Sequence, residues 1–119
     1  MNTSPDFQCL SIPRAMEYIG DETGVMSLMQ TLRQSLLDDL PRIEQSLADG
    51  HVRAANELLH QLKGFTPVFC TDMLVEAVVH VEALSKHAGA EEVRQAYAAL
   101  APRLAQLQAE VDRHIAANP

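Results

Sequence analysis

The apolar residues between positions 22 and 48 return every three or four places: Val25, Leu28, Met29, Leu32, Leu36, Leu40, Ile43 and Leu47. That period gathers them on one stripe of an α-helix and would scatter them over both faces of a strand. A stripe this long must be buried against other elements. A second stripe, Val93, Tyr97, Leu100, Leu104, Leu107, Val111 and Ile115, predicts another long helix over about 91–116. Between the two, helices are expected from His51 to about Phe65, ending or bending near Pro67, and from Thr71–Asp72 to about His87. The second of these has an inward face of Leu74, Ala77, Val78, Val81 and Leu84. A short helix is expected over Pro13–Ile19, with Pro13 in its first turn and Gly20 at its end. Asp49–Gly50 and Gly89 punctuate the rest. Pro41 should kink the long helix, with Asp38 and Asp39 placed to cap a restart. Pro102 lies nearly opposite its own stripe, on the solvent side.

Four amphipathic helices joined by short turns make an antiparallel four-helix bundle, here with an additional short N-terminal helix. Composition agrees with this all-α reading: Ala and Leu supply 31 of the 119 residues, and Val, Ile and Thr only 18. Residues 1–11, polar and containing Pro5, read as a flexible lead-in, and residues 12–117 as the helical bundle.

A formal charge of -7 gives the chain no general attraction for phosphate backbones, which argues against a nucleic-acid partner. The most apolar run, Met73–Val81, is interrupted by Glu76 and His80 and is too short to span a bilayer, so membrane insertion is not expected. Cys9 and Cys70 have neither zinc nor redox spacing and make a weak disulfide pair, and a cytoplasmic setting is expected. One complete core makes a monomer the expected state.

The chemistry concentrates in Glu57-Leu58-Leu59-His60-Gln61-Leu62-Lys63-Gly64. On a helical wheel, His51, Ala55, Leu58, Leu62 and Phe65 form the core face, and His60 projects about 160° from its centre, into solvent. Gly64 stands one turn beyond His60 and Lys63 three residues from it. Glycine inside an exposed helix costs about 1 kcal/mol relative to alanine. Beside an exposed imidazole it has one evident use, which is to clear space for another body to reach the ring. A free imidazole titrates near ~6.5 and is a competent nucleophile at neutral pH. A phosphoryl group placed on it would bring close to two negative charges, which an ammonium one turn away can follow. On the exposed flank, Lys63 is expected to matter little for folding. His51 leans to the core, and His80, His87 and His114 lack the glycine clearing.

This segment resembles the histidine-containing phosphotransfer (HPt) domain family of bacterial multistep phosphorelays, whose pattern His-x-x-Lys-Gly stands here as His60-Gln61-Leu62-Lys63-Gly64. Ile19-Gly20-Asp21, Asp38-Asp39-Leu40 and Leu47-Ala48-Asp49-Gly50 resemble the family's first two helices and their turn. Leu74 and Val81-Glu82 fall where the family has Leu and Leu-Glu. The resemblance covers about residues 12–115. The chain departs from the pattern at Cys70, where the family usually has Gly, and in the bulk of Phe65, Thr66, Pro67, Val68 and Phe69.

The resemblance implies that His60 accepts a phosphoryl group on Nε2 from a receiver-domain aspartate and passes it to another receiver domain. Lys63 would stabilise its charge and Gly64 give steric access. The chain would be a stoichiometric phosphotransfer intermediate rather than a turnover enzyme, binding no cofactor itself, with Mg²⁺ in the partner receiver. Response-regulator receiver domains and a hybrid sensor histidine kinase are the implied partners. The alternatives are a docking module that binds a receiver or kinase without being phosphorylated, motivated by the 65–70 segment, and a structural bundle.

Three other patterns carry less. Glu57-x-x-His60 has the spacing of di-metal carboxylate bundles, but it points outward and has no second copy. Glu76 with His80, and Glu110 with His114, read as solvated helix faces. Cys70 reads as a small packed residue. Some of Phe65, Pro67, Val68, Phe69, Val75 and Val79 are expected to stay partly exposed near His60.

Overall fold

The structure, a computed structural model, describes residues 7–119. Five helices follow in order: α1 (Ile12–Ile19), α2 (Glu22–Ala48), α3 (Val52–Phe69), α4 (Asp72–Leu84) and α5 (Ala90–Ala117). Helices α2 to α5 form a ring in which α2 packs on α3 and α5, and α4 packs on α3 and α5, while α1 lies across α2 and α3. The molecule measures 46 × 22 × 22 Å, its long axis set by the two long helices. Met29, Leu36, Ile43, Leu59, Leu62, Leu74, Val78, Val93, Leu104 and Leu107 fill the interior.

The ends are fixed by local chemistry. The Ser11 hydroxyl accepts from the Arg14 N–H at the start of α1, and the Asp21 carboxylate accepts from the Gly24 N–H at the start of α2. Gly20 closes α1 at φ 98°, in the left-handed region that favours glycine. Gly50 takes φ 79° in the turn before α3.

The prolines do not end their helices. Helix α2 runs through Pro41 as one element, without a restart at Asp38 or Asp39, and α3 runs through Pro67 to Phe69. Each proline deletes one ladder donor, but packing along the buried stripe keeps the helix continuous. Pro102 is exposed within α5, as expected. In contrast, α4 stops at Leu84, earlier than the expected His87, and residues 85–88 turn back on its last carbonyls.

The core stripe of α3 also differs from the wheel. Ala55, Leu59, Leu62, Thr66 and Phe69 are buried, Leu58 and Phe65 are half-buried, and His51 is an exposed residue at the helix start rather than a core one. By wheel arithmetic the buried face is turned about 40° from the expected one. The wheel takes α3 alone, whereas α3 packs on α1, α2 and α4 together.

Residues 7–11, expected within a flexible lead-in, are tied down; residues 1–6 of that segment lie outside the described residues. Leu10 pairs with Cys70 in an isolated antiparallel bridge, through Ser11 N–H to Phe69 C=O (2.7 Å) and Thr71 N–H to Cys9 C=O (2.9 Å). The Glu110 carboxylate of α5 accepts from three successive backbone N–H groups, those of Gln8 (2.9 Å), Cys9 (2.9 Å) and Leu10 (2.8 Å). Glu110 is therefore buried and not on a solvated face, as its spacing to His114 had suggested. Arg14 completes the tie, donating to the Cys70 carbonyl (2.7 Å) and pairing with Asp72 (2.8 Å). Both cysteines are free and buried, and burial pushes the Cys70 thiol up to about 12, so it packs inertly as a small residue.

Candidate functional site

Helices α3 and α4 run antiparallel from the turn at Cys70–Thr71, which sets the middle of α3 beside the last turns of α4. His60 and Lys63 of α3 thus face Glu82 of α4. The His60 side chain is 67% exposed, the orientation the wheel predicts. Gly64, one turn on, is exposed, and a Cβ built on it meets nothing within 4 Å. The open space beside the imidazole is therefore real geometry, and nothing in the fold itself requires glycine there.

Lys63 differs from the expectation of a solvated cation. Its Nζ stands 3.1 Å from Glu82 Oε1, and its side chain is only 30% exposed. Glu82, nearly sealed at 1% exposure, is the residue the motif reading missed as part of the site. Its Oε2 accepts from Asn56 Nδ2 (3.2 Å), lies 3.6 Å from His60 Nδ1 and 3.7 Å from Lys86 Nζ. Asn56 Nδ2 also reaches Ser85 Oγ at 2.8 Å, and Ser85 Oγ donates to the Glu82 carbonyl at 2.6 Å. Burial alone would raise the Glu82 carboxyl, but Lys63, through its hydrogen bond and charge, outweighs it together with Lys86 and Asn56. The carboxyl is held below its ordinary range and stays ionised.

With an anionic oxygen beside Nδ1, the ring is favoured in the tautomer that keeps its proton on Nδ1. Nε2 is then left with its lone pair, on a side chain that is two-thirds exposed. At 3.6 Å the contact is longer than a hydrogen bond, so the carboxylate acts on the ring through its charge. On the wheel Glu82 stands about 100° from the centre of the expected α4 stripe, so periodicity gave no sign of its burial; the one sequence signal was the match of Val81-Glu82 to the family's Leu-Glu pair.

The other patterns do not assemble. No group of three or more His, Cys, Asp or Glu side chains among the described residues is placed to hold a metal ion. Glu57 and His60 share one exposed face, and Glu76 and His80 are exposed on α4. Around the site Phe65, Pro67, Val68 and Val75 are half-buried and Val79 is 41% exposed, whereas Phe69 is buried. No helix among the described residues is long and apolar enough to cross a membrane.

The family model described as "Hpt domain" matches residues 27–117, from within α2 to the end of α5. The chain belongs to the HPt domain family. That family carries phosphoryl groups on histidine in phosphorelays, exchanging them with receiver domains and kinases, as a carrier rather than a turnover enzyme. The HPt match takes in α3 and α4 whole, and leaves α1 and the strap of residues 7–11 outside it. No curated protein and no solved structure matches the chain.

Proposed function

We propose that His60 is the phosphoacceptor of a phosphorelay, taking its phosphoryl group from the aspartate of one receiver domain and giving it to the aspartate of another. The observation that carries this is the arrangement at one exposed imidazole: Nδ1 is 3.6 Å from a buried carboxylate, and the adjacent turn is left clear at Gly64. Nε2 attacks the phosphorus of the aspartyl phosphate in line. The N–P bond forms as the acyl P–O bond breaks, and the aspartate leaves as a carboxylate. The ring keeps its Nδ1 proton and becomes a phosphoryl imidazolium, whose positive charge Glu82 stabilises. Return transfer reverses these bonds onto the next receiver.

In this reading Glu82 is a positioning residue: its charge, 3.6 Å from Nδ1, favours the Nδ1–H tautomer, and it touches neither phosphorus nor receiver. Lys63 holds Glu82 ionised and lies close enough to follow the phosphoryl charge. Gly64 gives the receiver's loops their approach. The receiver supplies Mg²⁺ and most of the positioning, and the carrier brings the nucleophile and no metal. A hybrid sensor kinase would feed the relay, and a cytoplasmic setting suits such partners.

The test is to mix the chain with a phosphorylated receiver domain and follow label into it. Acid-labile, base-stable label is expected on the wild type and none on His60→Gln, with unchanged helical content. Label persisting in that variant, on His51, His80, His87 or His114, would overturn the assignment.

A further inference from the structure

We propose that the cleft between α3 and the end of α4 holds the phosphoryl group after its arrival, and that Lys86 retains it there; this rests on His60 being the phosphoacceptor. The cleft has a volume of about 540 Å³ and is lined by Asn56, Glu57, His60, Gln61, Glu82 and Lys86. Lys63 is not among its walls. The two lysines that meet Glu82 are thus differently placed. Lys63 is close to Oε1, at 3.1 Å, and two-thirds sheltered. Lys86 reaches Oε2 only at 3.7 Å, with its side chain 56% exposed, from the turn just past the end of α4.

Oε2 does not depend on Lys86, since Asn56 Nδ2 already donates to it at 3.2 Å. An exposed ion pair of that length is weak. A phosphoryl dianion at the mouth of the cleft offers Lys86 a stronger partner than a carboxylate that Lys63 already neutralises. The long stem of Lys86 can make that exchange without moving the helices. Lys63 cannot leave as freely, because its departure would strand a buried charge. The two ammoniums divide the work: Lys63 prepares the acceptor and Lys86 keeps the product.

One wall opposes this. Glu57, an exposed carboxylate of the same cleft, makes no ion pair among the described residues and would repel the phosphoryl group. The proposal therefore predicts opposite signs for two neighbours. Cation contact keeps the phosphoryl dianionic, and the protonated form of an N–P bond is the labile one.

The experiment phosphorylates the full chain with a receiver domain, removes the receiver, and follows the loss of label and the ³¹P titration of the phosphoryl group. Lys86→Gln should lose its label about two- to fivefold faster, the range expected for one exposed charge pair, and its ³¹P titration should move to higher pH. Lys86→Arg should restore both readings. Glu57→Gln should slow the loss and move the titration to lower pH. Wild-type lifetime and titration in both Lys86→Gln and Glu57→Gln would overturn the proposal. So would a Lys86→Gln defect confined to the rate of label uptake. Absence of label on wild-type His60 would instead sink the phosphoacceptor reading, which is a separate outcome.

Discussion

Two glutamates are buried among the described residues, Glu82 at 1% exposure and Glu110 at 2%, and their charges are held by different means. Glu110 is held mainly by backbone, three successive N–H groups of the N-terminal strap, with the Gln106 side-chain amide added at 3.0 Å. None of the three N–H groups can leave without moving the strap. Glu82 is held by side chains, Lys63, Lys86 and Asn56, of which the exposed Lys86 is the one free to turn elsewhere. Backbone donors make a clamp, and flexible cations make a charge that can be redistributed when another anion arrives. The difference matches their places, one at the closed end of the bundle under a strap and the other beside an exposed imidazole.

The largest effect should come from breaking the clamp. Glu110→Ala leaves three N–H groups without their acceptor, of which the buried pair at Cys9 and Leu10 are worth about 1–3 kcal/mol each when unpaired. A loss of about 3 kcal/mol or more is expected, which for a domain near this size lowers Tm by about 10–20 °C. Transfer per folded molecule should stay at the wild-type level, because the clamp is remote from His60. Thermal melts with transfer assays below Tm check this; a Tm within a few degrees of wild type would show that the strap holds without Glu110.

Lys63→Ala comes next. With its main cation gone, the sealed carboxylate keeps only Asn56, the loose contact to Lys86 and the neighbouring imidazole. A cost of about 1–2 kcal/mol is expected, more than the ±0.5 kcal/mol or so usual for surface changes. The motif alone had suggested almost none. Denaturant titration decides, and a change inside the surface range would mean that Lys86 takes over the pair.

Glu82→Gln tests the same pair through pH. Lys63, Lys86 and Asn56 outweigh burial and lower the Glu82 carboxyl, so its native value lies below the unfolded one, about 4.3. The ionised group then adds stability above the unfolded value and loses it as pH falls through the native value. The stability gap between wild type and Glu82→Gln should be full at neutral pH and shrink below about pH 4. Urea titrations across that range measure it. A gap that widens in acid would reverse the sign and show a raised carboxyl. Transfer should also slow, since the neutral amide no longer favours the Nδ1 proton or the phosphoryl imidazolium through its charge.

The comparison also marks what the sequence can carry. Helix number, order and most ends followed from the three-four periodicity and from Asp21, Gly20 and Gly50, because those signals are local. His60 and Gly64 were legible because exposure on a helix is a matter of angle. Both buried glutamates were missed as such, though Glu82 had been matched as a family position. Apart from Lys86 and Gln106, four positions from Glu82 and Glu110 respectively, their partners are distant in sequence: 19, 22 and 26 positions for Glu82 and 100 to 102 for Glu110. By wheel arithmetic both glutamates stand about 100° from the centre of their helix's apolar stripe, so periodicity leaves them off the core face, and only the lysines and the strap that meet them make them buried. The turn of about 40° in the α3 stripe has the same origin, since it depends on where α1, α2 and α4 lie.

The smallest effect on stability belongs to Gly64, where the sign carries the information. A Cβ at this position meets nothing within 4 Å, so alanine fits without displacement. Gly64→Ala should therefore stabilise the fold by about 0.4–1 kcal/mol, through the unfolded chain and helix propensity. If the position exists for the receiver, transfer should fall at the same time, further for Gly64→Gln and Gly64→Val. The reason is that a side chain four residues on stands about 5–6 Å from His60 between Cβ atoms, where the receiver's loops must pass. Valine adds a helix-propensity cost that glutamine lacks, so a transfer loss that tracks side-chain size and not Tm isolates access from stability. Tm and transfer rate for the three variants make the measurement. Three folded variants that transfer at the wild-type rate would refute the access argument, and would leave the turn beside Glu82 as closed to function as the clamp at Glu110.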